Sequence, residues 1–122
     1  MFVRNYMTRN PLTVVPEGDL VLTFNLLKKQ GFRQIPVIKD GKLVGIVTDR
    51  DLRLTLGEDL MVGDVMSSNP VTVLEDSKLA EAAQIIRDRK FNALPVVSKS
   101  GKLVGIITTT DIIKGLLDVI AL

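Results

Sequence analysis

Apolar and polar positions follow two different periods along this chain, and the switches between them mark its elements. A short apolar run from Leu12 to Val15, just after Pro11, predicts a strand. Leu20, Phe24 and Leu27 then recur at helical spacing and give one apolar stripe, with Gly31 placed to stop the helix. Ile35 to Ile38 and Leu43 to Val47 are rich in β-branched residues and flank Asp40-Gly41, a two-residue turn signal, so they predict a hairpin. A short helix is expected after Thr48. The succession then returns. Leu79, Ala83 and Ile86 make a second helical stripe, whose end near Lys90 carries no glycine. Lys99-Ser100-Gly101 reads as a three-residue hairpin loop. The helix after Thr108 is longer, with Ile112, Ile113, Leu116, Leu117 and Ile120 apolar. The segment from Gly57 to Gly63 joins the halves, and Val62 to Met66 is expected to form a helical turn.

The return is a true internal repeat. Met7-Thr8-Arg9-Asn10-Pro11-Leu12-Thr13-Val14 matches Met66-Ser67-Ser68-Asn69-Pro70-Val71-Thr72-Val73. Ile35-Pro36-Val37 matches Leu94-Pro95-Val96, and Gly41-Lys42-Leu43-Val44-Gly45-Ile46-Val47-Thr48 matches Gly101-Lys102-Leu103-Val104-Gly105-Ile106-Ile107-Thr108. One extra residue near Ser100 falls at the hairpin tip, where it leaves both strand registers intact. Each repeat reads β-α-β-β-α, so the fold class is α/β (α+β). The repeats are placed at 1–57 and 58–122. A unit of about 60 residues buries too little surface to be stable alone, so one shared core is expected.

Composition narrows the functions. Of 122 residues 46% are hydrophobic and 25% charged, as in a soluble globular chain, and the net charge is +2. Residues 1–59 carry nine Lys/Arg against seven Asp/Glu, and residues 60–122 carry seven against seven, so neither half has a basic stripe for nucleic acid. The absence of Cys and His removes disulfides, thiolate nucleophiles, the commonest general base and the commonest zinc ligand. Enzyme activity is not expected, nor is a required cofactor or metal. The N-terminus lacks the apolar core of a signal peptide, and no apolar run reaches the ~18 residues of a membrane span. A cytoplasmic protein is expected.

The remaining chemistry lies in Thr48-Asp49-Arg50-Asp51 and Thr108-Thr109-Thr110-Asp111. A Thr at a helix start followed three residues later by a carboxylate is a capping-box arrangement, and capping alone can account for it. The same geometry also suits a ligand. A helix N-terminus presents N–H groups and a positive dipole end to phosphate, and a carboxylate one turn in can accept both hydroxyls of a ribose. Arg50 stands where the second repeat has Thr110, and Arg33 where it has Asn92; either Arg can offer phosphate a forked set of donors or remain a solvated surface charge. No Gly-Lys-Ser/Thr phosphate loop and no GxGxxG is present.

Met-Thr/Ser-x-Asn-Pro, then Leu/Ile-Pro-Val, then Gly-Ile-Val/Ile-Thr-x-x-Asp, in that order and twice over, resembles the CBS domain from about Val3 to Ile113. The resemblance implies a CBS pair packed about a pseudo-twofold axis, with two clefts that take adenosyl compounds such as AMP, ADP, ATP or S-adenosylmethionine. It implies that Asp51 and Asp111 hold ribose, with Thr48 and Thr108 beside them, and that Arg33 serves the Asp111 site. An apolar slot for adenine is then expected from Val14, Val15, Pro16, Ile35, Pro36 and Ile46, and from Val73, Leu74, Leu94, Pro95 and Ile106. Each of these is also a natural core position. The apolar helix Ile112 to Leu122 predicts either a homodimer surface, as in other CBS pairs, or burial against Leu20, Phe24 and Leu27. The implied function is a regulatory, ligand-sensing module. A ligand-free dimerisation or scaffold protein is the competing reading.

Overall fold

The computed structural model describes residues 1–120. After a 3-10 turn at Val3–Asn5 come β1 (Thr8–Arg9), α1 (Leu20–Gln30), β2 (Gln34–Lys39), β3 (Lys42–Thr48), α2 (Asp49–Thr55) and α3 (Val62–Val65). There follow β4 (Ser67–Ser68), β5 (Val73–Leu74), α4 (Leu79–Arg89), β6 (Ala93–Val97), β7 (Leu103–Thr108) and α5 (Thr109–Ile120). The expected apolar C-terminal helix thus extends to Ile120, while Ala121 and Leu122 lie outside the described residues. The chain is a mixed α/β fold with a three-stranded sheet, β2-β3-β4, and a four-stranded sheet, β1-β7-β6-β5.

Two compact units contain these sheets, and they do not coincide with the sequence repeats 1–57 and 58–122. Leu12–Pro70 forms one unit; Met1–Pro11 with Val71 onward forms the other. The cause is an exchange of opening segments. Thr8 and Arg9 pair antiparallel with Ile106 and Gly105 of β7, and Ser67 and Ser68 pair with Ile46 and Gly45 of β3. Each sheet therefore carries an edge strand from the other repeat. The cores are mixed in the same way. In the first unit Leu20, Leu27, Ile35, Val37, Val47 and Leu52 pack with Val62, and in the second Val73, Leu79, Ile86, Leu94 and Ile107 pack with Val3 and Met7.

Local signals set the element ends. The Asp19 carboxylate accepts the Leu22 amide at 2.9 Å and starts α1. Gly31, at φ 69°, ends it in the left-handed conformation, and Phe32 N–H closes back on Leu27 O at 3.0 Å. Lys90 does the same for α4 at φ 58°, with Phe91 N–H on Ile86 O at 3.1 Å. The hairpin turn Asp40-Gly41 has positive φ at both positions, 53° and 78°, the mirror-image turn that matches strand twist.

The strand expected over Leu12–Val15 shrinks to one parallel bridge, Val14 to Val37. Its counterpart, Val73–Leu74, is a full pair with Val96 and Val97. Position 16 explains the difference. Glu75 continues the ladder by donating its N–H to Val97 O at 3.2 Å, and Pro16, which occupies the corresponding place, has no N–H to give. Among the described residues no helix is long and apolar enough to cross a membrane.

Candidate functional site

Both Thr-x-x-Asp motifs form complete, reciprocal capping boxes. In the first unit Thr48 N–H donates to Asp51 Oδ2 at 3.1 Å, and Asp51 N–H donates to Thr48 Oγ1 at 3.1 Å. In the second, Thr108 N–H donates to Asp111 Oδ2 at 2.9 Å and Asp111 N–H to Thr108 Oγ1 at 3.1 Å. All four residues are half-buried. Each box arises because a strand runs directly into a helix: β3 into α2, β7 into α5. The first helical residue is tied to the residue just before the neighbouring strand, Asp49 N–H to Arg33 O and Thr109 N–H to Asn92 O, both at 3.0 Å. Each box engages only Oδ2 of its carboxylate.

The two helix starts differ in their remaining amide. Arg50 N–H is taken by the Asp49 carboxylate at 2.9 Å, so the first three amides of α2 are all committed. The open amides expected there are thus closed, by Arg33 O, by the Asp49 carboxylate within the motif and by Thr48 Oγ1. In α5, Thr110 N–H has no partner among the described residues. The first turn of α2 holds two carboxylates, Asp49 and Asp51, where that of α5 holds Asp111 alone. Electrostatically the α5 start is the better place for an anion.

The other expected ligand residues separate by exposure. Arg33, Arg50 and Thr110 are exposed, Val15 and Leu74 are 48% and 39% exposed, and Pro16 is half-buried. Ile35 and Leu94 are 0% exposed, and Pro36 and Pro95 are buried with them. Those four side chains are buried in this structure, Ile35 and Leu94 within the cores of their units. Two residues with no ligand role expected from the sequence stand next to the first box. Asp49 is one. The other is Gln34, the register partner of Thr48 across the β2–β3 hairpin, where the second unit pairs Ala93 with Thr108. A hollow of about 380 Å³ in the first unit is lined by Phe24, Leu27, Lys28, Phe32, Asp49 and Arg53 and contains none of the expected ligand residues.

On α5, Ile113, Leu116, Leu117, Val119 and Ile120 are 50–64% exposed. Ile112 instead packs on its unit's core, and Gly115 lets α5 meet Leu79 of α4. The outer face is therefore exposed among the described residues, not buried as the alternative expectation had it, and Leu20 and Leu27 belong to the core of the Leu12–Pro70 unit with Phe24 packed on it.

Comparison with known proteins agrees with this layout. The CBS domain family matches the chain twice, at residues 3–58 and 62–118. A CBS domain-containing protein of Dictyostelium discoideum is 32% identical over 136 residues, covering 98% of this chain and 94% of that protein. Inosine-5'-monophosphate dehydrogenase of Korarchaeum cryptofilum is 38% identical over 108 residues, but the chain spans only 23% of the enzyme's length. Among solved structures, CBSX2, a CBS-pair protein of Arabidopsis thaliana, in complex with AMP superposes with a TM-score of 0.88 at 32% identity, covering 97% of both chains. With two family matches and a fold shared with a CBS-pair protein over nearly its whole length, the chain belongs to the CBS domain family.

Proposed function

We propose that this protein is a regulatory module that binds an adenosyl nucleotide at its Thr–Asp boxes and transmits that state to a partner. One observation carries the reading. Twice in one chain, a half-buried carboxylate caps a helix with one oxygen and leaves the other uncommitted. Such a carboxylate can accept the two hydroxyl donors of a ribose without surrendering its cap. The AMP complex of a CBS-pair protein with the same fold supports adenosine as the nucleoside.

The phosphate end belongs at the Thr108–Asp111 box. There the Thr110 amide is open and the first turn carries a single acid, whereas Asp49 repels an anion at α2. The exposed Val15 with half-buried Pro16 in one unit, and the exposed Leu74 in the other, each offer apolar surface suited to an adenine. No reaction is assigned; the module regulates rather than catalyses. It works as a homodimer whose contact includes the exposed apolar face of α5.

Calorimetric titration with AMP, ATP and S-adenosylmethionine tests this reading. Asp→Asn at position 51 or 111 keeps an acceptor for the cap and removes the charge, while Asp→Ala removes both. A hydrogen bond to a charged group is worth roughly 1.5–3 kcal/mol, so each Ala variant should weaken its own site by ~10- to 100-fold. If the parent binds and both variants keep full affinity, ribose recognition by these aspartates is wrong. A chain whose melting temperature no adenosyl compound raises would favour the scaffold reading instead.

A further inference from the structure

Among the described residues one buried side-chain polar atom has no hydrogen-bond partner: Nε2 of Gln34. Gln34 opens β2 and stands directly opposite Thr48 in the β2–β3 ladder. Directly opposed residues project from the same face of a sheet, so the Gln34 amide and the first Thr–Asp box share one face. The second unit has Ala93 opposite Thr108 and no amide to place there. Native chains pair their buried donors, because a donor taken from water and given no acceptor is destabilising. A long side chain at a strand end could ordinarily turn outward into water, but this nitrogen is sealed off.

We infer that Gln34 is a specificity-determining contact of the first site alone, its Nε2–H donating to an uncharged acceptor of the bound nucleoside, a ring nitrogen or a hydroxyl oxygen. The inference rests on the reading of the Thr–Asp boxes as nucleoside sites. An uncharged acceptor fits better than phosphate, since strong phosphate contacts come from charged donors and the first turn of α2 already holds two carboxylates. The two sites then differ in kind. The first demands an acceptor from its ligand, because a ligand without one leaves the amide unpaired.

The test uses the full chain with Asp111→Asn, which isolates the first site, titrated with adenosine and with AMP. Gln34→Met keeps length and removes the amide; Gln34→Ala copies the residue the other unit already tolerates. Either change should weaken adenosine and AMP equally, by about tenfold, and raise the melting temperature of the ligand-free protein. On an Asp51→Asn background the same changes should leave binding at the second site untouched. Unaltered affinity in both Gln34 variants overturns the inference and leaves the adenosyl reading standing. Weakening confined to AMP overturns the uncharged acceptor. Should the Gln34 parent bind neither probe, the adenosyl reading and this inference fall together.

Discussion

Met66 fills the space that a side chain on Gly45 would need: a β-carbon there would lie 2.6 Å from Met66 Sδ and 2.9 Å from the Ser67 carbonyl oxygen. The other unit repeats the relationship, with Gly105 set against Met7 Sδ at 2.8 Å and Thr8 O at 2.7 Å. A thioether can swing aside, but a carbonyl in a strand pair cannot. Gly45→Ala and Gly105→Ala should therefore each destabilise the protein by about 1–3 kcal/mol, the usual range for overpacking. Urea denaturation of the two variants measures it, and an unchanged midpoint would show that β4 or β1 yields freely.

Residues 1–60 hold one complete sequence repeat yet lack Val62, Met66 and β4, which complete the core and sheet of their unit. Their own Met7 and β1 would have no β7 to meet. This fragment should show weak helical circular dichroism and no cooperative melt. Residues 12–70, almost equal in length, should be more ordered. A cooperative, monomeric transition in 1–60 would refute the dependence on exchange.

Leu116 and Leu117 are 56% and 50% exposed in the single chain, so replacing both by Asp costs the isolated fold little. In a dimer interface the same change strands two carboxylates without partners. Sedimentation of the double variant should give monomers with parental circular dichroism. An unaltered dimer would remove these residues from the contact.

Tyr6 donates its hydroxyl to Asp118 Oδ2 at 2.8 Å. That hydrogen bond, followed by desolvation and the Asp118 charge, raises the phenol above its ordinary pKa of 10.0. The neutral phenol is the form that donates. Its contribution is therefore fully present below the unfolded-state pKa and is lost as pH rises through the higher folded value. Tyr6 is the only tyrosine and there is no tryptophan, so phenolate absorbance titrates this residue alone. Asp118→Asn should lower the midpoint, and Tyr6→Phe should remove the alkaline part of the stability profile. Identical midpoints with and without Asp118 would contradict the assignment.

What the sequence made legible was local. The helical stripes, the Asp40-Gly41 turn and the Thr–Asp boxes depend on residues within a turn or two of each other, and all stand where periodicity and spacing put them. The strands Thr8–Arg9 and Ser67–Ser68 escaped because they are two exposed polar residues each, with no alternation to betray pairing to a distant partner. Pro16 trimmed the Val14 strand by withholding a single N–H, a loss visible only once Glu75 is seen donating. Ile35 and Leu94 suit a slot or a core equally when read along the chain, and their full burial emerges only from the packing of distant segments. Gln34 became informative through its register with Thr48, which no reading along the chain supplies.

The exchanged opening segments set the period of inheritance against the period of folding. A recombination event that transplanted residues 1–57 would carry Thr8 and Arg9 away from the sheet they finish and leave β3 without Ser67 and Ser68. One that transplanted Leu12–Pro70 would move an intact unit. A solitary copy of this design has an open sheet edge and an opening strand without its partner. A second copy supplies both partners, and duplication within a single gene keeps that second copy always at hand, which protects the fold from its own unpaired edges.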